Sequence, residues 1–185
     1  MSNEMLKPEE VDCVIYHHPC MDGTAAAMCA YRYFQNSSKQ IQYYTASHGR
    51  SPPRLGGKNV LICDFAYSYE EITEMLKIVN KLLIIDHHQT AWENLQELPA
   101  QYKIMDMEHS AAYLVWKYFF STETVPKFIL LVEDRDLWKK EFAQADHLAR
   151  YLFTQKYDFE LYLSLLQESA LEIAITKGQS YEELN

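Results

Sequence analysis

Short apolar runs rich in β-branched residues alternate with segments long enough to form helices, and this alternation constrains the fold more than any other feature of the sequence. A run of four to eight such residues that ends at polar residues is typical of a buried strand. Strands that alternate with helices indicate βαβ units, and hence a mainly parallel sheet that carries helices on both faces. The predicted strands are residues 11–16, 41–45, 59–65, 82–85 and 102–105. The predicted fold class is therefore α/β.

The helical segments extend this prediction to the whole chain. From residue 109 onward the sequence is mostly helical, and residues 48–58, which are rich in Pro and Gly, are expected to form a loop. Thr24 is expected to cap the first helix, Asp158 to cap the last helix at its start and Gly178 to end it. We expect one domain over residues 1–185, with an α/β core at 10–138 and a helical extension at 139–178. The predicted helices are residues 24–34, 69–80, 110–120, 126–132, 143–153 and 158–176.

Charge and cysteine content exclude some classes of protein. With 17 Lys and Arg against 26 Asp and Glu, the formal net charge is −9, which argues against a protein that coats long DNA or RNA. The N-terminal ten residues lack the apolar stretch of a signal peptide, and no apolar run approaches membrane-spanning length. The four cysteines form no CxxC pair, so we expect free thiols and a cytoplasmic location.

Acidic and imidazole side chains follow three of the predicted strands. In parallel sheets, ligands bind beyond the carboxyl ends of the strands, so these side chains are expected to share one pocket. Such a mixed set of nitrogen and oxygen donors suits Mn, Mg, Fe or Zn. Two such ions about 3.5–4 Å apart activate water for the hydrolysis of phosphoesters. The side chains concerned are His17, His18, Cys20, Asp22, Asp64, Asp86, His87 and His88.

Other residues of the same types have simpler explanations. A single Asp after a strand usually forms a turn or caps a helix, so Asp22 or Asp64 alone would indicate little. Cysteines inside apolar runs are expected to be core thiols. His48, His109 and His147 lack comparable neighbours in the sequence, and we do not expect them to act in catalysis.

Four segments, taken in order, resemble the motifs of the DHH phosphoesterase superfamily. The sequence IIDHH at residues 84–88 is similar to the signature motif, and YHHPCMDGTAAA at 16–27 is similar to the first motif. NVLICDF at 59–65 resembles the second motif and LVEDRDLW at 131–138 the fourth, with EHSAAYLVWKYF at 108–119 similar to the helix start between the third and fourth. The superfamily includes exonucleases, oligoribonucleases, cyclic-dinucleotide phosphodiesterases, exopolyphosphatases and inorganic pyrophosphatases. The resemblance implies a metal-dependent phosphohydrolase.

The resemblance also implies a ligand set for two divalent ions, usually manganese in this superfamily. Asp64 would bridge the two ions, and Asp22, His87 and Asp134 would complete one site. A histidine of the first motif and Cys20 would join Asp64 in the other site. For that histidine we expect His17, with His18 as the alternative. Asp134 is preferred to Asp136 because it lies closer to the end of the apolar run 128–132.

Roles in substrate binding follow from the same comparison. His88 would face the substrate phosphate as a cation or a hydrogen-bond donor, and Asp86 would orient a histidine and fix its tautomer. His18 and Arg135 are further expected substrate contacts. We expect a small phosphorylated molecule or a short oligonucleotide as substrate, without long duplex nucleic acid or membrane as a partner, and the sequence leaves homo-oligomerisation open.

Two departures from the usual pattern affect these expectations. Cys20 stands where many members have an Asp, and it would either favour a softer ion such as Zn or Fe or not ligate at all. The glycine-rich GGGH motif of the usual C-terminal substrate-binding domain is not found, so the chain is a stand-alone catalytic domain or part of a longer protein. The alternatives are a non-catalytic domain that binds a nucleotide or a protein, and a hydrolase of pyrophosphate or polyphosphate. Neither GxxxxGK[ST] nor GxGxxG occurs, which disfavours an ordinary nucleotide-binding fold.

Overall fold

The computed structural model describes residues 4–181, and within them five strands form a single sheet in which every neighbouring pair is parallel. The order across the sheet is β2-β1-β3-β4-β5. This confirms the predicted mainly parallel α/β architecture. The strands are β1 (Cys13–His17), β2 (Gln42–Ala46), β3 (Asn59–Cys63), β4 (Lys81–Asp86) and β5 (Lys103–Met105).

Eight α helices surround this sheet within residues 4–181. The expected helical C-terminal part is also present, because α4 to α8 follow one another after the last strand. No helix of the described residues is long and apolar enough to cross a membrane. The helices are α1 (Met21–Phe34), α2 (Tyr69–Leu76), α3 (Gln89–Asn94), α4 (Ala111–Phe119), α5 (Lys127–Asp136), α6 (Ala143–Phe153), α7 (Phe159–Ser164) and α8 (Glu168–Ser180).

Both faces of the sheet are covered because successive strand residues point to opposite sides. Val14 of β1 packs into the larger core, which contains residues from α1, α4, α5, α6, α7 and α8. Its neighbour Ile15 packs into the smaller core with Ile72 and Met75 of α2. The central strands β1, β3 and β4 are therefore apolar on both sides, which explains their continuous apolar runs in the sequence, whereas the edge strands β2 and β5 are partly exposed.

The strand order locates the ligand-binding edge of the sheet. The chain passes from β1 outward to β2 and then returns to the other side of β1 to form β3. In an open parallel sheet of this order, the crevice beyond the carboxyl ends of β1 and β3 is the usual place for a ligand. His17 is the last residue of β1, and Asp64 directly follows β3.

Some helix boundaries differ from those predicted. The helix α1 begins at Met21, and Thr24 lies inside it, where its hydroxyl donates a hydrogen bond to the Cys20 carbonyl at 2.7 Å instead of capping the helix. The segment 158–176 forms two helices because the chain breaks at residues 165–167, although Asp158 does cap the first of them. Gly178 lies within α8 and does not end it. The short helix α3 was not predicted.

Candidate metal centre

The carboxyl ends of three adjacent strands bring the acidic and imidazole side chains together. His17 ends β1, Asp64 directly follows β3, and His87 follows β4. Asp22 comes from the first turn of α1, which starts four residues after β1 ends. Asp22, Asp64 and His87 are all buried, with exposures of 0%, 2% and 8%. Residues far apart in the sequence therefore meet in a single place. This agrees with the rule that ligands bind beyond the carboxyl ends of parallel strands, which we call the strand-end rule.

Asp64 lies at the middle of this group, and its two oxygens face different neighbours. Its Oδ1 is 3.3 Å from Nε2 of His87, whereas its Oδ2 is 3.4 Å from Nδ1 of His17. The backbone of Asp64 has a φ of 56°, in the left-handed region that few residues other than glycine adopt. Such backbone strain is typical of functional positions, where the surrounding structure maintains it.

The first group of potential ligands surrounds His87. Its Nε2 lies 3.7 Å from Oδ2 of Asp22 and 3.3 Å from Oδ2 of Asp136, which is the last residue of α5. Ligand atoms of these three residues all lie within 4.8 Å of one another. Asp22 is held in place by α4, because its two oxygens accept hydrogen bonds from the backbone amides of Ala111 and Ala112 at 2.8 and 3.0 Å. The start of α4 therefore positions one carboxylate of the group.

The second group consists of His17, Cys20 and Asp64, whose ligand atoms also lie within 4.8 Å of one another. Burial, together with the negative charges of Asp64 and Asp22, raises the pKa of the Cys20 thiol far above its usual value. Without a bound cation, Cys20 is therefore a neutral thiol. The Asp64 carboxylate lies between the two groups, with Oδ1 facing His87 and Oδ2 facing His17.

Asp86 and His88 form a hydrogen-bonded pair at the same edge, and their ligand atoms lie within 4.8 Å of those of Asp64 and His87. Oδ1 of Asp86 lies 2.7 Å from Nδ1 of His88 and accepts a hydrogen bond from the backbone amide of His87 at 2.8 Å. The hydrogen bond with Asp86 raises the pKa of His88. His88 lines a cleft of about 320 Å³ together with His17, Asp64 and Asn94.

The concentration of carboxylates perturbs the titration of the whole group. Burial, followed by the charges of Asp64 and Asp136, raises the pKa of Asp22 well above its usual value. Burial opposes the charged form of His87, but Asp64, Asp22 and Asp136 outweigh it and raise the pKa of His87 to about 9. For Asp64, burial is likewise outweighed by His17, His87 and Cys20, and its pKa is lowered. The raised pKa values of Asp22 and His87 mean that, without a cation, these crowded carboxylates favour the binding of protons.

The unsatisfied atoms of the site fit divalent cations. Both oxygens of Asp64 and Nε2 of His87 are buried and have no hydrogen-bond partner of suitable geometry among the described residues. Buried polar atoms without partners are costly, so a native structure that retains them calls for a further group. Carboxylate oxygens and an imidazole nitrogen are ligands for Mn, Mg, Fe and Zn. The donor set therefore suits metal ions, and each oxygen of Asp64 faces a different group of potential ligands.

Two of the expected site residues lie elsewhere. Asp134 was expected to be a ligand, but its Oδ1 accepts a hydrogen bond from the backbone amide of Glu141 at 2.7 Å, and Asp136 takes the place beside His87. Arg135 was expected to contact the substrate; it lies outside the cleft lined by His17 and His88, with its Nε 3.3 Å from Oδ1 of Asp146. Both differences arise because α5 extends four residues beyond its predicted end at residue 132.

The two histidines of the first motif also occupy different places. His17 faces Asp64, whereas the ring of His18 packs against the rings of Tyr16 and Tyr157, with centroids 6.0 and 5.4 Å away. Nδ1 of His18 is buried and has no hydrogen-bond partner in the described part of the chain. The structure thus brings His17, and not His18, to the carboxylates.

His48 is a residue of the cleft that sequence reasoning set aside. It lines the cleft beside His17, with ring centroids 5.9 Å apart, and packs against Phe65. The signal was present in the sequence, since His48 follows the end of β2 by two residues and the strand-end rule applies to β2 as well.

Comparison with known proteins identifies the family and the fold. Residues 12–145 match the model of the DHH family, N-terminal domain. Uncharacterized protein R106 of Acanthamoeba polyphaga mimivirus is 30% identical over 194 residues, which cover 98% of this chain and 46% of that protein. The chain thus spans about half the length of this curated relative. The crystal structure of an uncharacterized protein from Helicobacter pylori G27 superposes with a TM-score of 0.65 and 16% identity, over 92% of this chain and 60% of that one.

Proposed function

The chain belongs to the DHH family, and from this we propose that it is a metal-dependent phosphoesterase that hydrolyses a phosphoester or phosphodiester of a small nucleotide or a short oligonucleotide. The observation that carries the proposal is the buried Asp64 carboxylate, whose two oxygens lack hydrogen bonds of suitable geometry among the described residues and face different groups of potential ligands. Two divalent cations, manganese in the first instance, would supply the activation of water and the neutralisation of phosphate charge.

The ligand roles follow from the two groups around Asp64. Asp22, His87 and Asp136 would hold one ion and His17 and Cys20 the other, with Asp64 between them. Asp136 thus replaces Asp134 in the proposed set. The hydrogen bonds from the start of α4 limit the movement of the Asp22 carboxylate, so this ligand is already oriented before an ion binds.

The pair of Asp86 and His88 would act on the substrate. Asp86 accepts the proton of Nδ1 and raises the pKa of His88, so the imidazole is held in its cationic form or in the tautomer that carries this proton. A cationic His88 would present its second nitrogen as a donor to a phosphate oxygen. The ring is about half exposed, with a side-chain exposure of 47%, so a substrate in the cleft can reach it.

Cleft size and charge support a small substrate. The cleft of about 320 Å³ is at the small end of the range for ligand pockets and suits one nucleotide unit. The net charge of −9 disfavours long nucleic acids. We also propose a cytoplasmic location. All four cysteines are free, and the thiol of Cys20 belongs to the proposed centre, so a reducing compartment suits the protein.

One observation favours a second candidate function. Without a bound cation Cys20 is a neutral thiol, and its sulfur is a softer donor than the oxygen ligands that suit manganese or magnesium. If this site does not take an ion, the chain is a one-metal domain that binds a nucleotide or a protein without hydrolysis.

Metal content and hydrolysis measured on the same samples test the proposal. We expect elemental mass spectrometry to find about two Mn²⁺ per chain. We also expect Mn-dependent hydrolysis of dinucleotides, 3′-phosphoadenosine 5′-phosphate, cyclic dinucleotides or pyrophosphate. Asp64→Ala should lose both. The matched control is Asp12→Ala, which removes a carboxylate that accepts a hydrogen bond from Asn59 at the opposite edge of the sheet and should keep both. Full hydrolysis by Asp64→Ala would refute the proposal, and one ion without hydrolysis would favour the binding domain.

A further inference from the structure

A cavity of about 220 Å³ at the start of the segment between α5 and α6 is lined by two aromatic and two cationic side chains, together with the carboxylates of Asp134 and Asp146. Trp138 and Phe142 are 63% and 38% exposed, among the most exposed large apolar residues in the described part of the chain. Arg135 places its guanidinium 4.1 Å from the centre of the Trp138 ring, and Nζ of Lys140 lies 5.8 Å from the same centre. We call these four residues the aromatic platform.

Trp138 of the aromatic platform lies two residues along the chain from Asp136, a potential ligand of the candidate metal centre. Asp136 lies between Arg135 and Trp138 in the sequence, and its carboxylate is 3.3 Å from His87. Because consecutive Cα atoms are about 3.8 Å apart, the Cα of Trp138 lies within about 7.6 Å of the Cα of Asp136. A molecule whose phosphate is held at the metal centre can therefore extend one ring system onto this platform.

The backbone that carries the platform is strained and held by buried acidic residues. Trp138 and Lys140 have φ angles of 53° and 56°, in the left-handed region that bulky side chains rarely occupy. Asp134 maintains this conformation, because its carbonyl accepts a hydrogen bond from the amide of Lys139 at 3.0 Å and its carboxylate one from the amide of Glu141 at 2.7 Å. The exposed position of Trp138 is thus set by the fold.

The chemistry of the platform selects its ligand. An exposed indole ring stacks on nucleobases of any sequence, and the guanidinium of Arg135 over the Trp138 ring adds a cation–π contact. Arg135 forms an ion pair with Asp146, and Lys139 forms one with Glu133. Lys140 has no ion-pair partner among the described residues and offers its charge to an anion. Pyrophosphate and polyphosphate have no ring to place here.

From this arrangement we infer that the aromatic platform binds the nucleobase of the substrate, so that the enzyme acts on nucleotides and not on inorganic phosphates. The inference rests on the proposed function, since it places the substrate phosphate at the metal centre. Trp138 would be the residue that determines this specificity, and Asp134 a positioning residue that acts through Trp138.

A comparison of AMP with ribose 5-phosphate isolates the base. The two probes share ribose and phosphate, so the ratio of their dissociation constants, measured by isothermal titration calorimetry in Mn²⁺, reports the base alone. We expect wild type to bind AMP about 5- to 150-fold more tightly, as stacking on one aromatic side chain provides. Trp138→Ala should bring the ratio close to one while leaving the affinity for ribose 5-phosphate unchanged, and Trp138→Phe should retain most of the ratio.

The control is Trp92→Ala, which removes another exposed tryptophan, on α3, and should keep the wild-type ratio. An unchanged ratio in Trp138→Ala, equal affinities in wild type, or no binding of AMP would each overturn the inference. A change of sedimentation velocity in Trp138→Ala with an unchanged ratio would also overturn it, since the ring would then contact a second copy. A normal ratio without hydrolysis of any substrate would contradict the proposed function and leave the base site standing.

Discussion

The close approach of α1 to the end of β1 requires a glycine, and replacing that glycine tests how the metal centre is built. A Cβ added to Gly23 would lie 2.4 Å from the backbone oxygen of His17 and 3.0 Å from Oδ2 of Asp64. The oxygen belongs to the last residue of β1 and cannot rotate away. An ordinary contact begins at 3.4 Å, so α1 and the strand end must separate by about 1 Å.

This contact determines both the size and the sign of the change in stability that Gly23→Ala causes. In a helix interior with free space, Gly→Ala stabilises by roughly 0.5–1 kcal/mol. Overpacking a closed site costs about 1–3 kcal/mol, so Gly23→Ala should be net destabilising by about 1–2 kcal/mol. For a chain of this length, that lowers the melting temperature by about 2–8 °C. The same separation moves Asp22 away from His17 and Asp64, and misplaced ligands typically weaken metal binding about 10–100-fold.

Differential scanning calorimetry and Mn²⁺ titration measure the two effects. The matched control is Gly56→Ala, because a Cβ at Gly56 meets nothing closer than the carbonyl oxygen of Ile78 at 3.9 Å. This control should keep the wild-type affinity for Mn²⁺. If Gly23→Ala melts at or above the wild-type temperature and binds Mn²⁺ as wild type does, the helix does not determine the geometry of the centre.

Three further substitutions separate stability from metal binding. In Gly178→Ala the new Cβ would lie 1.7 Å from the backbone oxygen of His147, so α6 and α8 must move apart; we expect a lower melting temperature with an unchanged affinity for Mn²⁺. Cys20→Asp replaces a neutral thiol with a carboxylate, so it should raise the affinity of the second site for Mn²⁺, as measured by titration, and a weaker second site would contradict its proposed ligand role. Asp136→Asn should weaken Mn²⁺ binding at least tenfold, whereas Asp134→Asn should weaken it less and chiefly lower the melting temperature; the reverse order would restore Asp134 as the ligand.

The sheet could be predicted because its signal is local. All five strands lie within a few residues of their predicted ranges, and β1, β3 and β4 were clearest because a strand buried on both faces leaves a continuous apolar run in the sequence. The strand-end rule then brought His17, Asp64 and His87 together without knowledge of the strand order. The same rule applied to β2 would have drawn attention to His48, which follows Ala46 by two residues.

Helix ends were harder to predict because no residue marks them. The break at residues 165–167 contains neither Gly nor Pro, so the apolar spacing on either side indicated one helix where there are two. At Gly178 the sequence predicted a helix end where the helix in fact continues. Gly178 is of the type that ends a helix, but here it serves close packing against the backbone of His147.

The choice between Asp134 and Asp136 shows what helical periodicity leaves undetermined. Ile129 and Val132 are buried, and a row of residues at i, i+3 and i+7 continues from them to Asp136. Phe128 and Leu131 are buried as well, and their row continues to Asp134. Both carboxylates therefore extend an apolar row of α5, and the pattern favours neither. They differ because two residues along a helix are about 200° apart, so that one side chain turns toward His87 and the other toward the segment that carries the aromatic platform.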